Sequence, residues 1–276
     1  MTQPGPLPRY GVRLANRAPD RLAEAAETLS LLGYAVVESG LSETQLDALR
    51  EGCAALRAAN SRRYGAELLR DIGEADLVRC PLADHPGFLS LAMNPAILSL
   101  CEQLLGPGFI LNQQNLIVNP AGSETYSQAA YHRDLPYQHF VSSRPLAINA
   151  LFCLDAFTQE NGATLVIPAS HKQEAFPSDP VIAAQARQIA APAGSFLVLD
   201  CMTYHCGGRN RSALDRRAVN HVYSIAMLRQ QIDLPRHLGP GFSGDPATRR
   251  LLGFDHPSAL SVEEFIGGRK ARAAGT

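Results

Sequence analysis

The stretch Phe109-Ile110-Leu111-Asn112-Gln113-Gln114-Asn115-Leu116-Ile117-Val118 decides the fold. At Phe109 the texture of the chain changes, from helical spacing to short runs of Val, Ile, Phe and Leu separated by Gly, Pro, Asn and Ser clusters. That texture is the signature of a many-stranded sandwich or barrel. Downstream, strands are predicted over 147–154, 163–167, 195–199 and 218–228, and a C-terminal cap over about 235–276.

Upstream the reading is helical. Leu22, Ala25, Ala26, Leu29 and Leu32 recur at helical spacing, and Gly33 stands where a C-cap glycine belongs. A short strand, 34–37, follows. Ser42 stands three positions before Gln45, a capping box that opens a helix through Leu46, Leu49, Cys53 and Leu56. Pro95 opens another helix that runs to the stop at Gly106-Pro107-Gly108. Residues 1–20 carry no sustained period and read as a surface arm. Helices first and strands second predict an α+β architecture, with helices (21–108) packed on one side of an antiparallel β core. At 276 residues the chain is long for one ~150-residue domain and short for two, so a single domain over 21–276 is expected.

Composition narrows the function. Lys and Arg total 25 against 26 Asp and Glu, so the broad positive field that phosphate backbones require is missing and no nucleic-acid partner is expected. The N-terminus lacks the apolar core of a signal peptide and no run reaches the roughly 18 residues of a membrane span, which predicts a cytoplasmic protein with no membrane partner. A small-molecule substrate and a monomer or homodimer are expected. The six cysteines are scattered without a CxxC pair and read as reduced core thiols. Cys201 and Cys206 flank His205, yet their spacing fits no zinc pattern.

The chemistry lies in two places. His132 and Asp134 are two apart, so on an extended chain both face one point. His205, just after a strand, supplies a third group. Two His and one carboxylate with open coordination positions form the facial triad of non-haem Fe(II) oxygenases, where O2 and a co-substrate must both reach the metal. Taken alone the HxD pair is weak, because each His also reads as surface or core. Arg216 strengthens it: it stands eleven residues after His205 at the entrance of a strand, and its guanidinium is the natural partner of the distal carboxylate of 2-oxoglutarate.

Several stretches, in order, resemble the phytanoyl-CoA dioxygenase family of Fe(II)/2-oxoglutarate oxygenases, which includes the ectoine hydroxylases. Gly33-Tyr34-Ala35-Val36-Val37 and the helix from Ser42 resemble its opening, and Leu104-Leu105-Gly106-Pro107 its helix end. His132-Arg133-Asp134 resembles its HxD, and Glu160-Asn161-Gly162-Ala163-Thr164 with Ile167-Pro168-Ala169-Ser170-His171 its central motif. His205 to Arg216, with Asn210 and Ser212 between, resembles its ending. The resemblance covers roughly residues 30–230. Asn119, Ala169 and Tyr131 depart from the pattern, which has Lys, Gly and Trp there.

The resemblance implies a double-stranded β-helix, a jelly-roll or cupin-like barrel, with Fe(II) held by His132, Asp134 and His205. It implies that Arg216, not Arg217, grips 2-oxoglutarate, and that Asn149 is a polar co-substrate contact. It places Gln113, which shares a face with Asn115, near a substrate-contacting Gln. Tyr137 and His139, in a loop over 135–145 beside Asp134, read as substrate residues on a mobile lid. His171 reads as a loop-closing residue, and His221, one residue out of phase with Arg216, should face outward.

The implied reaction consumes O2 and 2-oxoglutarate, releases succinate and CO2, and hydroxylates an unactivated C–H bond. Chlorination is disfavoured because related halogenases carry a small residue at the position of Asp134. Desaturation, epimerisation or cyclisation in natural-product biosynthesis would use the same oxidant. The rival readings are a non-catalytic cupin-like ligand-binding module and a zinc or manganese isomerase, neither of which needs Arg216.

Overall fold

The computed structural model describes residues 18–122, 126 and 128–274; the expected arm lies outside these except for its last three positions. Helix α1 (Arg21–Leu32) is capped by Asp20, whose side chain accepts from the Ala23 N–H. Gly33 ends it at φ 84°, and a Cβ there would fall 2.3 Å from Thr203 Oγ1 and 2.6 Å from His171 Nδ1. Only glycine tolerates both the left-handed backbone and the close approach. β1 (Tyr34–Glu38) follows, then α2 (Glu43–Tyr64), in which Ser42 and Gln45 form the expected capping box.

Next come α3 (Ala66–Asp71), β2 (Leu77–Arg79), α4 (Pro86–Ala92) and α5 (Pro95–Leu105). α3, β2 and α4 were not anticipated, because each is too short to establish a period. The β region comprises β3 (Phe109–Asn119), β4 (Ala147–Cys153), β5 (Leu165–Val166), β6 (Arg187–Gln188), β7 (Ser195–Asp200), β8 (His205–Cys206) and β9 (Arg216–Ile225), with α6 (Asp179–Gln185) before β6. α7 (Leu234–Leu238), α8 (Pro246–Leu251) and α9 (Val262–Ala274) complete the described chain. Of the expected C-terminal cap, Leu251 and Leu252 join the core, as does Leu234 just before it, whereas α9 buries no residue.

Two antiparallel sheets form, one of six strands in the order β1-β7-β4-β9-β3-β2 and one of three in the order β6-β5-β8. Helical residues Leu29, Leu46, Phe88 and Leu100 pack on one face of the large sheet, against Leu116, Phe152, Phe196 and Tyr223. On the other face Leu151, Leu197, Leu199 and Ala218 meet Phe157, Val166 and Ala191. With both faces covered, all seven residues of β4 are buried, which is why it is apolar on both faces apart from Asn149 rather than alternating with polar positions.

A bulge between Leu111 and Gln113 resets the phase of β3. Leu111 pairs with Tyr223 on the helix side, whereas Gln113 and Asn115 pair with Val222 and Asn220 on the inner side. The bulge therefore turns both carboxamides inward.

His221 lies on the face opposite Arg216, as its phase requires, but that face is roofed by the helices and His221 is 0% exposed. Outward in the strand is here inward in the protein. Gln114 accepts from the Leu82 N–H through Oε1 and donates to Phe88 O through Nε2. The same Nε2 lies 2.8 Å from His221 Nε2, so the ring must accept there and donate from Nδ1 to Ala150 O, 3.0 Å away. Such a ring is neutral, and burial pushes its pKa down from 6.5 to about 4.

The unfolded chain binds this proton near 6.5 and the folded one only near 4, so between these values protonation favours unfolding. Stability from His221 is complete above pH 6.5 and is lost as pH falls toward 4, by about 3 kcal/mol. In urea unfolding across that window, His221→Asn should flatten the pH slope relative to the parent. Parallel slopes would refute the buried-neutral assignment.

Among the described residues no single helix is long and apolar enough to cross a membrane. The bent pair α4–α5 passes a length and composition test, yet its Phe88, Leu91, Ile97 and Leu100 are core residues. All six cysteines are free and buried.

Candidate metal centre and co-substrate pocket

His132 and His205 are joined by a reciprocal backbone bridge, His132 N–H to His205 O at 2.9 Å and His205 N–H to His132 O at 3.0 Å. Asp134 is fixed by its own N–H to Cys201 O, 2.9 Å. These bonds bring both Nε2 atoms to 3.7 Å from Asp134 Oδ1, and one donor atom from each of the three side chains lies within 4.8 Å of the others. His132 Nδ1 sits 2.8 Å from Ala130 O and His205 Nδ1 2.9 Å from Thr203 O. The carbonyls hold the Nδ1 protons, leaving the Nε2 lone pairs aimed at the shared point. Asn149 donates to the other Asp134 oxygen at 2.9 Å.

Burial alone would raise the Asp134 carboxyl, but His205, His132 and the Asn149 amide together hold it at about 2. Burial lowers His205. Two imidazole nitrogens and one ionised carboxylate oxygen on one side of a cavity are a donor set for a divalent transition metal.

Arg216, the first residue of β9, opens into the same cavity, which is about 40 Å³ in volume. It is 3% exposed, and its Nε and Nη1 have no hydrogen-bond partner. The Phe157 ring lies 4.1 Å beneath the guanidinium, and Tyr126 hydrogen-bonds it. A buried cation with open donors and, among the described residues, no carboxylate partner is costly unless an anion completes it. Arg217 has the opposite commitment: on the other face of β9 it grips Asp155 bidentately, at 2.9 and 2.7 Å.

The model of the phytanoyl-CoA dioxygenase (PhyH) family matches residues 30–218. The chain belongs to that family. Phytanoyl-CoA dioxygenase family membership makes it a 2-oxoglutarate-dependent non-haem iron dioxygenase. It is 32% identical over 250 residues to the uncharacterized protein Rv1501 of Mycobacterium tuberculosis, covering 88% of this chain and 91% of that one. It is 30% identical over 146 residues to the iron/alpha-ketoglutarate-dependent dioxygenase penM of Penicillium thymicola, covering 49% of this chain and 45% of that one. In fold it is similar to a non-haem monooxygenase, the ThoJ–Ni complex, with TM-score 0.60, 24% identity and coverage of 73% and 77%.

In this dioxygenase Asn149 bonds Asp134 directly. Gln113 and Asn115 face inward but do not line the cavity around Arg216, while Asn220, which pairs with Asn115, does. Tyr137 and His139 lie outside that cavity: Tyr137 is 65% exposed and stacks on Phe140, and His139 packs on Phe176 with ring centroids 4.6 Å apart. Their loop is strapped rather than free. The Arg133 guanidinium donates to Gln138 O from within the loop, and to Ser170 O, Gln173 O and Glu174 O beyond it, the last three at 3.1, 2.6 and 3.0 Å.

His171 is buried against Gly33 with Nε2 3.3 Å from Ser30 O, the structural use expected of it. Burial keeps the Cys206 thiol protonated, with its pKa pushed up to about 11, and raises Cys201 well above the usual range, so neither offers a thiolate to the centre. Tyr126 and Asn220 escaped the sequence reading. Asn220 is four residues beyond Arg216 on a strand and so shares its face, a signal that was available. Tyr126 sits in irregular chain, where no period could point to it.

Proposed function

We propose that this dioxygenase hydroxylates an unactivated C–H bond of a small molecule, coupled to conversion of 2-oxoglutarate to succinate and CO2. The two sheets are the two sides of a double-stranded β-helix, and His132, Asp134 and His205 are the Fe(II) ligands at its open end. The carrying observation is that buried Arg216, its Nε and Nη1 without a partner, opens on the same cavity as the triad. Bound iron and 2-oxoglutarate together supply an oxidant made from O2.

The residues of the chain do the rest. Arg216 and the Tyr126 hydroxyl bind the distal carboxylate, and Phe157 braces the guanidinium from below. Leu151, Ile117 and Ala218 wall the space between the two ends and exclude water from it. Asn149 orients the Asp134 carboxylate and leaves one of its oxygens free for the metal. The carboxylate of Asp134 fills the position that chlorination would need vacant.

Anaerobic addition of Fe(II) and 2-oxoglutarate should give the weak visible charge-transfer band of a chelate, and a metabolite library should contain compounds that stimulate succinate formation. No band, with iron bound, would overturn the reading.

Held by the Arg133 strap, the loop over 135–145 covers the substrate and keeps water from it. Replacing both Tyr137 and His139 by Ala should lower substrate turnover, or release succinate without product, while Fe(II) and 2-oxoglutarate bind normally. Loss of metal or co-substrate binding with unchanged coupling would show that the loop belongs to the structural frame.

A further inference from the structure

Inside the large sheet, beside the centre, lie two rows of side chains. Gln113, Val222 and Asn149 form one across β3, β9 and β4; Asn115, Asn220 and Leu151 form the next. Neighbours within a row are about 5 Å apart and the rows about 7 Å apart, so four carboxamides fall within the compass of a small ring system.

Three of them carry a buried oxygen without a hydrogen-bond partner: Gln113 Oε1, Asn149 Oδ1 and Asn220 Oδ1. Asn149, Asn115 and Asn220 are 3%, 5% and 8% exposed. For Asn149 the assignment of oxygen and nitrogen is fixed, because its nitrogen faces the Asp134 carboxylate. Native interiors rarely leave such acceptors unmet, so three of them together call for a donor from a ligand or a bound water.

Charge is confined elsewhere. Among the described residues that line the cavity with Asn149 and Asn220, the charged side chains apart from histidine are Asp134 and Arg216, which the metal and co-substrate engage. Arg79, next to Asn115 in register, is already held by both oxygens of Glu74.

From this juxtaposition, and resting on the function proposed above, we infer that the substrate is an uncharged molecule bearing hydroxyl or N–H donors, read by the Gln113, Asn115 and Asn220 carboxamides, with Asn220 the specificity-determining residue. An anionic substrate, whether a free acid, a phosphate ester or a coenzyme A thioester held by its phosphates in this pocket, would find among the described lining residues no cation beyond the Arg216 that the co-substrate engages.

The test uses cyclohexane-1,2-diol and valerolactam as neutral probes, and cyclohexanecarboxylate and cyclohexyl phosphate as anionic ones. Each is titrated calorimetrically into the protein loaded anaerobically with Fe(II) and 2-oxoglutarate, so that Arg216 is already engaged. The neutral probes should bind roughly tenfold more tightly than the anionic pair, the effect of about one well-made hydrogen bond. Asn220→Leu, close in volume, should abolish the preference. Asn220→Asp, which keeps the shape, should shift it toward 2-aminocyclohexanol.

Equal or tighter binding of the anionic probes, no binding of either neutral probe, or a preference unchanged in both variants would overturn the inference. Absence of the charge-transfer band would instead count against the co-substrate reading. With the band present, the titrations decide the substrate class.

Discussion

Replacing His205 by alanine is expected to leave the purified protein with less than about a tenth of the parent's iron and no measurable product, since loss of even an outer partner of a metal ligand costs 10–100-fold in affinity. The substitution removes a donor that nothing nearby can replace. Cys206 is the adjacent candidate, but its thiol is held protonated by burial. The backbone bridge to His132 survives, because it uses main-chain atoms only, so the fold should persist and a circular dichroism spectrum should match the parent's. Asp134→Ala is the informative companion. It keeps both imidazoles and so some iron, yet should abolish hydroxylation. Iron content and turnover both at parental levels in His205→Ala would exclude the triad.

The second large effect is expected at Arg216. Truncating one side of a buried, hydrogen-bonded charge pair costs roughly 2–5 kcal/mol, so the KM for 2-oxoglutarate should rise by well over tenfold in Arg216→Ala. Arg217→Ala should leave that KM near the parent's, because its guanidinium is spent on Asp155 on the far face of the strand. Its cost belongs to stability and should appear in urea unfolding. The opposite ranking of the two KM values would place the co-substrate on the wrong face of β9.

What the sequence made legible follows from period and capping. Gly33 ends α1, and Ser42 with Gln45 opens α2, because these residues satisfy helix ends through local bonds that need no tertiary partner, whereas the Asp20 cap of α1 falls in the stretch that reads as the arm. The triad was legible for a similar reason: two-residue spacing on an extended chain commits His132 and Asp134 to one face. Tertiary placement was not. The direction of His221 was read correctly, yet what covers that face depends on α4 and α5 docking there. The inward turn of Gln113 relative to Leu111 depends on a one-residue bulge that parity cannot reveal. Tyr126 reaches Arg216 from irregular chain, and the Arg133 strap joins segments some forty residues apart through carbonyls that any residue could supply.

The reciprocal bridge between His132 and His205 has a practical corollary for metal identity. Main-chain bonds bring the donors together, and nothing in those bonds rewards one ion's preferred shape over another's. A pair of imidazoles with a carboxylate follows the Irving–Williams order, in which Fe(II) ranks below nickel, copper and zinc. Protein made in cells rich in those ions should therefore come away inert and mis-metallated. Its activity should be restored by stripping with a chelator and reloading in the absence of air, so the cell's supply of iron, rather than the pocket, governs how much of this enzyme is alive.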